Sequence, residues 1–239
     1  MNLNQQIEEW LASARADHQP RQRPFVTLTY AQSWDGSITH RVGESLSLSG
    51  ETSLQLTHQL RSLHDAILVG VGTVLVDNPR LTVRAWQGPN PRPVILDSKL
   101  RTPLAAHVLR HPNHQPWIFT CTPEKQERSG RARLFTLPPD DNGRVPLTPA
   151  LEVLWQQGVT MLMVEGGARV ITSMLKAGLA DALILTIAPR LVGGQMATGN
   201  LDLEGYLVDR LPRVSPLHSA MLDPDLVVWG MLHYGGEIQ

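Results

Sequence analysis

Apolar residues recur along the chain with two different spacings, and each spacing predicts one kind of secondary structure. Short continuous apolar runs, rich in branched side chains, predict buried β-strands. They occur at residues 25–30, 66–69, 93–96, 117–120, 133–137, 161–164 and 182–188. Apolar residues three or four positions apart predict amphipathic helices instead. They occur at residues 7–14, 56–63, 151–157 and 170–175.

The order of these elements predicts the fold class. Because strands alternate with helices through most of the chain, we predict a three-layer α/β fold with a mostly parallel sheet flanked by helices. Residues 138–149 are predicted to be a loop. Two apolar segments flank Asp223-Pro224-Asp225 near the carboxyl end, which predicts an antiparallel hairpin there. We expect residues 1–23 to form a helix and linker, and residues 24–239 to form the main domain.

The composition favours a globular protein and argues against several other classes. A hydrophobic content of 42 % and a charged content of 18 % are typical of a globular chain. The formal net charge of −1 argues against broad binding to nucleic acid or to a membrane surface. Cys121 is the single cysteine, so no disulfide can form within the chain. With no apolar stretch of about 20 residues and no signal-like amino terminus, we expect a cytoplasmic protein.

Residues 65–84 gather the groups that a small anionic molecule needs. Their apolar strand is followed by Gly70 and Gly72, where a backbone without Cβ lets another group come close. The polar side chains that follow are Thr73, Asp77, Arg80 and Arg84. The third glycine of a Rossmann turn is missing, and Asp77-Asn78-Pro79 interrupts the helix that such a turn requires. If a dinucleotide binds here, the ordinary Rossmann turn does not hold it.

A second glycine turn follows the strand at 161–164. Glu165 precedes Gly166 and Gly167, and a helix begins directly after them. The amino terminus of a helix suits phosphate groups, although a tight turn without a ligand explains the same residues equally well. We expect this strand and the strand that ends at Gly70 to lie side by side. Arg61 has two interpretations: a phosphate ligand, or a charge that is favourable at a helix end.

Histidine placement argues against a metal site. His107, His111 and His114 lie in a proline-rich connection and not on one helix face, so we predict solvated histidines and no metal. The His-x-Glu and Pro-Cys-x-x-Cys motifs of the zinc deaminases do not occur in the sequence.

The chain resembles the reductase domain of riboflavin biosynthesis over about residues 24–234. Four segments carry this resemblance: PFVTLTYAQSWDG, LRSLHDAILVGVGTVLVDNPRLTVR, VILDS and VEGGARVITSMLKAGLADALILTIAPRLVGG. The resemblance implies a dihydrofolate-reductase-like fold, NADPH as the cofactor and a homodimer. It also implies reduction of a 5-amino-6-ribosylamino-pyrimidine 5′-phosphate to the ribitylamino form. Many bacterial members are fused to a deaminase, and here we expect a stand-alone reductase.

The resemblance also assigns site residues, to which we add the turn residues Gly72 and Gly166 as cofactor ligands. Positions that contact the cofactor in this family match Ala31, Thr73, Asp77, Ser98, Gly167, Ala168, Arg169, Val170, Ile171, Thr172 and Ser173. Positions that contact the substrate match Ser45, Arg61, Leu81, Arg84 and Glu165. The chain departs from common bacterial members at three positions: Thr29 stands for Lys, Trp34 for Leu and Ser47 for Trp.

The reaction implied by the resemblance is hydride transfer to C1 of an opened ribosylamine. The protein must mainly position the reacting groups. We assign Arg61 and Arg84 to the phosphate and Glu165 to the pyrimidine amino groups. Asp77 is placed near the nicotinamide, and we take Asp77 and Glu165 as the catalytic pair. Two alternatives stay open: reduction of another heterocycle such as a dihydropterin, and a non-catalytic NADPH-binding module.

Overall fold

A computed structural model describes residues 2–18, 22–123, 131–201 and 211–235. The chain divides into two compact units. The first unit consists of Met1–His18, Phe25–Thr57 and Ala168–Gln239, and the second of Gln19–Pro24 and His58–Gly167. The strands are β1 (Phe25–Ser33), β2 (Ser37–Thr39), β3 (Ala66–Gly70), β4 (Arg92–Leu96), β5 (Trp117–Thr120), β6 (Arg133–Thr136), β7 (Met161–Glu165), β8 (Ala182–Ala188), β9 (Gln195–Met196), β10 (Arg213–Val214), β11 (His218–Leu222) and β12 (Asp225–His233).

The helices of the described residues are α1 (Leu3–Asp17), α2 (Glu51–Ser62), α3 (Val71–Asp77), α4 (Leu147–Gln156) and α5 (Ala168–Lys176), with a 3-10 turn at His107–Arg110. All of these helices except α3 overlap the predicted amphipathic segments, and α3 was not predicted. Helix α1 buries Ile7, Leu11 and Ala14, as its apolar spacing predicts. The linker predicted after this helix falls partly on residues 19–21, which lie outside the described residues. Within the described ranges, the helices are too short or too polar to cross a lipid bilayer.

The second unit contains a fully parallel sheet in the order β7-β3-β4-β5-β6. Residues 66–69 of β3 and 161–164 of β7 are buried without interruption. This pattern is typical of parallel strands that are covered on both faces, and it explains why their apolar runs do not alternate with polar residues. Strand β6 ends the order and is the most exposed strand of this sheet.

The first unit contains the antiparallel part of the fold. Strand β8 pairs in parallel with β1 and antiparallel with β12. Strands β11 and β12 form the hairpin predicted around Asp223-Pro224-Asp225. β10 also pairs antiparallel with β12, and β2 pairs with β9. The mostly parallel α/β class with a carboxyl-terminal hairpin is therefore confirmed.

One local prediction needs correction. The predicted loop 138–149 is too long, because α4 already begins at Leu147. Pro149 is compatible with this start, since backbone N–H groups in the first turn of a helix have no partner within the helix. The close approach of a ligand predicted at Gly72 stays a prediction: Gly72 lies in α3, and an added Cβ would meet no atom of the described residues within 4 Å.

Candidate active site

Three polar segments follow neighbouring strands at one edge of the parallel sheet. Strand β3 pairs in parallel with both β7 and β4, so the carboxyl ends of these strands lie at the same edge. The strands end at Gly70, Glu165 and Leu96, and the two glycine-bearing ends are neighbours as predicted. Ligands of open α/β sheets bind outside the carboxyl ends of the strands. This edge is therefore the candidate active site.

Arg61 and Glu165 form a bidentate ion pair at this edge. The Nε atom of Arg61 donates to Oε2 of Glu165 at 2.8 Å, and Nη2 donates to Oε1 at 2.5 Å. Burial alone would lower the pKa of Arg61, but the negative charge of Glu165 and its hydrogen bonds outweigh burial and raise that pKa. The pair is partly open to solvent on the Glu165 side, where the side chain is 24 % exposed.

The segment 82–84 is irregular, and side chains hold its backbone groups one after another. Nη1 of Arg61 donates to the carbonyl oxygen of Thr82 at 3.0 Å. The N–H of Val83 donates to Oδ1 of Asn90 at 2.6 Å, and the N–H of Arg84 donates to Nδ1 of His58 at 2.8 Å. An irregular segment depends on such partners, because it lacks the hydrogen bonds of a helix or a sheet.

The side chains of Arg61 and Arg84 converge on Thr82. Nη1 of Arg84 donates to the hydroxyl of Thr82 at 2.8 Å and lies 3.4 Å from its carbonyl oxygen. Within the described part of the chain, Nε and Nη2 of Arg84 have no acceptor. Partial burial, together with the positive charges of Arg61 and Arg80, lowers the pKa of Arg84. Crowded cations of this kind favour an anionic ligand.

His58 is a neutral acceptor inside this cluster. Its side chain is buried, and its Nδ1 accepts the hydrogen bond from Arg84, so the ring proton resides on Nε2. Burial, and then the positive charges of Arg61 and Arg84, lower the pKa of His58 to about 4. The imidazole is therefore uncharged at neutral pH.

The three predicted cofactor residues of α3 lie on the exposed side of this short helix. Gly72 and Asp77 are exposed, and Thr73 is half-buried. The helix ends at Asn78, which adopts the left-handed conformation with φ 42°. The carboxylate of Asp77 is therefore exposed, and the described residues give it no partner that would orient it.

Leu81 and Ser98 offer less to a ligand than the sequence predicts. Leu81 has a φ of 55° and is buried as a whole residue, so it presents almost no surface to a ligand. Ser98 follows β4, and its hydroxyl oxygen accepts the N–H of Val145 at 3.0 Å. The preceding Asp97 is buried and accepts hydrogen bonds from the backbone N–H groups of Arg101 and Thr102, which fixes the turn after β4.

The second glycine turn has the backbone geometry that only glycine adopts readily. Gly166 has φ 81° and Gly167 has φ 86°. An added Cβ at Gly166 would meet nothing within 4 Å, so the space beside this backbone is open. An open turn with two successive left-handed residues, leading into a helix, fits the pyrophosphate of a dinucleotide.

The remaining predicted residues belong to the first unit. In α5, Val170 and Ile171 are buried, while Arg169 is exposed. The hydroxyl of Thr172 donates to the carbonyl of Ala168 at 2.6 Å and accepts the N–H of Gly199 at 2.9 Å, so its first role is structural. Ala168, Ser173 and Ala31 are half-buried, and Ser45 is exposed.

Sequence reasoning missed the residues that hold segment 82–84. His58, Thr82 and Asn90 were not predicted, although His58 lies three positions before Arg61 and therefore on the same face of α2.

Thr29 is one of the three positions at which the chain departs from common bacterial members. It is buried on β1, and its hydroxyl has no partner among the described residues. Within the described ranges, no three His, Cys, Asp or Glu side chains gather as a metal ion requires.

Comparison with known proteins agrees with the predicted resemblance. The profile of the RibD C-terminal domain matches residues 24–228. The 2,5-diamino-6-ribosylamino-4(3H)-pyrimidinone 5′-phosphate reductase of Methanothermobacter thermautotrophicus is 39 % identical over 216 residues, which cover 86 % of this chain and 97 % of that protein. The riboflavin biosynthesis protein RibD of Bacillus amyloliquefaciens is 35 % identical over 210 residues, but the match spans 56 % of its length.

Solved structures give the same result for the fold. The riboflavin biosynthesis reductase Rib7 of Saccharomyces cerevisiae has a TM-score of 0.76 at 27 % identity, covering 98 % of this chain and 100 % of that one. Dihydrofolate reductase of Enterococcus faecalis has a TM-score of 0.51 at 13 % identity, covering 87 % of this chain and 96 % of that one, which shows a shared fold. The chain belongs to the RibD C-terminal domain family and has its dihydrofolate-reductase-like fold.

Proposed function

We propose that the chain is an NADPH-dependent oxidoreductase of riboflavin biosynthesis. Its substrate is 2,5-diamino-6-ribosylamino-4(3H)-pyrimidinone 5′-phosphate, and its product is the ribitylamino form. The observation that carries this proposal is the 39 % identity to a reductase of that name, which the match covers almost end to end. We prefer the diamino substrate to its deaminated counterpart because the match covers 97 % of the reductase named for the diamino compound. The match to the RibD protein of Bacillus amyloliquefaciens covers only 56 % of that protein.

Arg84 is the phosphate ligand in this proposal. It lies beside a second guanidinium and has donors that its neighbours leave unused. Arg61 acts differently, because three of its donors are already committed to Glu165 and Thr82. It adds positive charge near the phosphate and holds Glu165 in one orientation. Glu165 then accepts hydrogen bonds from the amino groups of the pyrimidine.

The chemistry consists of ring opening and reduction. The ribosylamine opens to an imine, C1 receives a hydride, and the nitrogen receives a proton from Asp77 or from water. NADPH supplies the hydride when it is bound. The glycine turn at Gly166 and Gly167 would hold its pyrophosphate, because the turn is open and leads into a helix. The protein contributes mainly the position of the reacting groups.

Preference for NADPH over NADH is assigned to the turn after β4. Lys99 and Arg101 are exposed there, and the buried carboxylate of Asp97 fixes the turn that carries them. Two cations on a fixed turn suit the 2′-phosphate that distinguishes NADPH.

The proposal also covers assembly, location and domain organisation. We propose a cytoplasmic homodimer without affinity for nucleic acid. Each chain consists of an accessory helix and linker at residues 1–23 and a reductase domain at residues 24–239.

The test is NADPH consumption with four substrates. We expect oxidation of NADPH with the diamino ribosylamino phosphate, slower oxidation with its deaminated counterpart, and little with the dephosphorylated compound or with dihydrofolate. Growth of a reductase-deficient strain that carries this chain provides a second measurement. Equal rates with and without the 5′-phosphate would favour a reductase of another heterocycle. Binding of NADPH without consumption would favour a non-catalytic module.

A further inference from the structure

We propose that His58 is a positioning residue for Arg84, and that it acts by holding the backbone N–H of Arg84 through Nδ1. The inference rests on the proposed function, because it assigns a purpose to the position of the phosphate ligand. It adds a residue that touches neither substrate nor cofactor.

The need for such a residue follows from the backbone at 82–84. This segment belongs to no helix or strand, so each peptide group requires a partner from elsewhere. Arg61 holds the carbonyl of Thr82, and Asn90 holds the N–H of Val83. Among the described residues, His58 is the one that holds the N–H of Arg84. Loss of the imidazole therefore frees one peptide group, and it is the group from which the Arg84 side chain projects.

His58 is well suited to act as a fixed point. It lies within α2, one helical turn before Arg61, and its side chain is buried. Helix α2 consequently presents two side chains to the same segment: Arg61 holds one end, at Thr82, and His58 holds the other, at Arg84. The spacing between the two guanidinium groups thus depends on a rigid element and not on the irregular segment itself.

The neutral form of His58 is required for this contact. Nδ1 can accept a hydrogen bond only while it carries no proton. The charged groups that face the ring are Arg61, Arg84 and Glu165, and the two arginines outweigh the one carboxylate. The same positive charge that attracts a phosphate therefore also keeps Nδ1 available as an acceptor.

The experiment compares two substitutions of similar size. His58→Leu removes the acceptor, and His58→Asn retains an oxygen near the position of Nδ1. We expect His58→Leu to raise the KM for the 5′-phosphorylated substrate about tenfold, the factor that corresponds to one buried hydrogen bond. Its kcat should change by less than about twofold, because the lost contact concerns binding. His58→Asn should stay within about threefold of the unaltered protein.

The dephosphorylated substrate provides the control. Its KM should be the same in all three proteins, since the position of Arg84 matters only to a phosphate. An equal rise in KM for both substrates would overturn the proposal, as would a His58→Asn protein that is as impaired as His58→Leu. If His58→Leu does not fold, His58→Gln takes its place, because it moves the acceptor one bond away and should show the same loss.

A binding measurement separates this proposal from the proposed reaction. In ¹⁵N-labelled protein, we expect ribose 5-phosphate to shift the amide signal of Arg84 in the unaltered protein and in His58→Asn, but not in His58→Leu. If no NADPH is consumed by any variant while this pattern holds, the proposed reaction is wrong and the role of His58 stands. If ribose 5-phosphate leaves the Arg84 signal unchanged in the unaltered protein, the role of His58 is wrong.

Discussion

The guanidinium of Arg61 and the carboxylate of Glu165 form a two-bond ion pair across 104 residues of sequence. Arg61 is buried, and Glu165 reaches solvent on one side. Arg61 therefore has a structural role in the pair, whereas the carboxylate of Glu165 is available to a ligand. For this reason Arg61 and Glu165 need not contact the same chemical group of the substrate, although the sequence assigns both of them to it.

Glu165→Gln tests both halves of the pair. The substitution keeps the shape of the side chain but removes the charge that compensates Arg61. We expect a loss of about 1–3 kcal/mol in the free energy of unfolding, below the value for a fully buried pair because Glu165 is partly exposed. We also expect kcat/KM to fall about a hundredfold, since the pyrimidine loses a charged acceptor. Urea unfolding and steady-state kinetics measure the two effects.

Glu152 offers a matched control for that substitution. It is an exposed glutamate in α4, and we expect Glu152→Gln to change neither the unfolding free energy nor the kinetics. A Glu165→Gln protein with unaltered kinetics would remove Glu165 from the active site, even if its stability were lower.

Arg84→Ala tests the phosphate assignment. Arg84 is exposed, and its guanidinium donates to Thr82 through Nη1. Removal of this side chain should therefore not unfold the protein. We expect the KM for the phosphorylated substrate to rise about a hundredfold, as for the loss of a charge-assisted hydrogen bond, and the KM for the dephosphorylated substrate to stay constant. Arg110→Ala, at an exposed position of the 3-10 turn, is the control. An unchanged KM in Arg84→Ala would refute the assignment.

The pKa of His58 predicts how stability depends on pH. The folded protein holds this pKa at about 4, and the unfolded chain returns it to about 6.5. Between these values the unfolded state binds the proton first, so stability should fall as the pH is lowered from about 6.5 to about 4. The contribution of His58 to this fall is at most about 3 kcal/mol.

His58→Asn should flatten that dependence. We expect the two proteins to differ in the slope of unfolding free energy against pH within this window, and to have the same slope above pH 7. The pKa of His111 is also lowered to about 4, and His111 is present in both proteins, so its contribution cancels in the comparison. Identical slopes below about pH 6.5 would contradict the buried neutral state of His58.

The fold was predictable from the sequence, because burial on both faces leaves a direct mark on a strand. The continuous apolar runs of β3 and β7 are typical of parallel strands that are covered on both faces. The hairpin at Asp223-Pro224-Asp225 is likewise marked by its own turn residues. Such features are local, and each of them is visible within ten residues of sequence, about the length of one element.

The site was predictable only in part, because its contacts join distant residues. Spacing along the chain does not indicate that Arg61 is paired with Glu165, nor that the backbone at Arg84 depends on His58. The burial of Leu81 was equally hidden, since its left-handed backbone turns an apparent loop residue inward. Residue types pointed to one edge of the sheet, and tertiary geometry decided which partner each side chain has.

Gly72 and Gly166 give a prediction in which the same substitution has opposite effects on stability. Gly72 lies in α3 with open space around it, so Gly72→Ala should stabilise the protein by about 0.5–1 kcal/mol through better helix propensity. Gly166 has φ 81°, so Gly166→Ala should destabilise it by about 1–2 kcal/mol, although no atom blocks the added Cβ. Urea unfolding measures both changes, and titration with NADPH measures their effect on the cofactor. Weaker NADPH binding in both variants would support two glycine contacts with the cofactor. Weaker binding in Gly166→Ala alone would restrict the close contact with the cofactor to the turn at 166–167. Unchanged binding in both variants would exclude a close contact of the cofactor with either glycine.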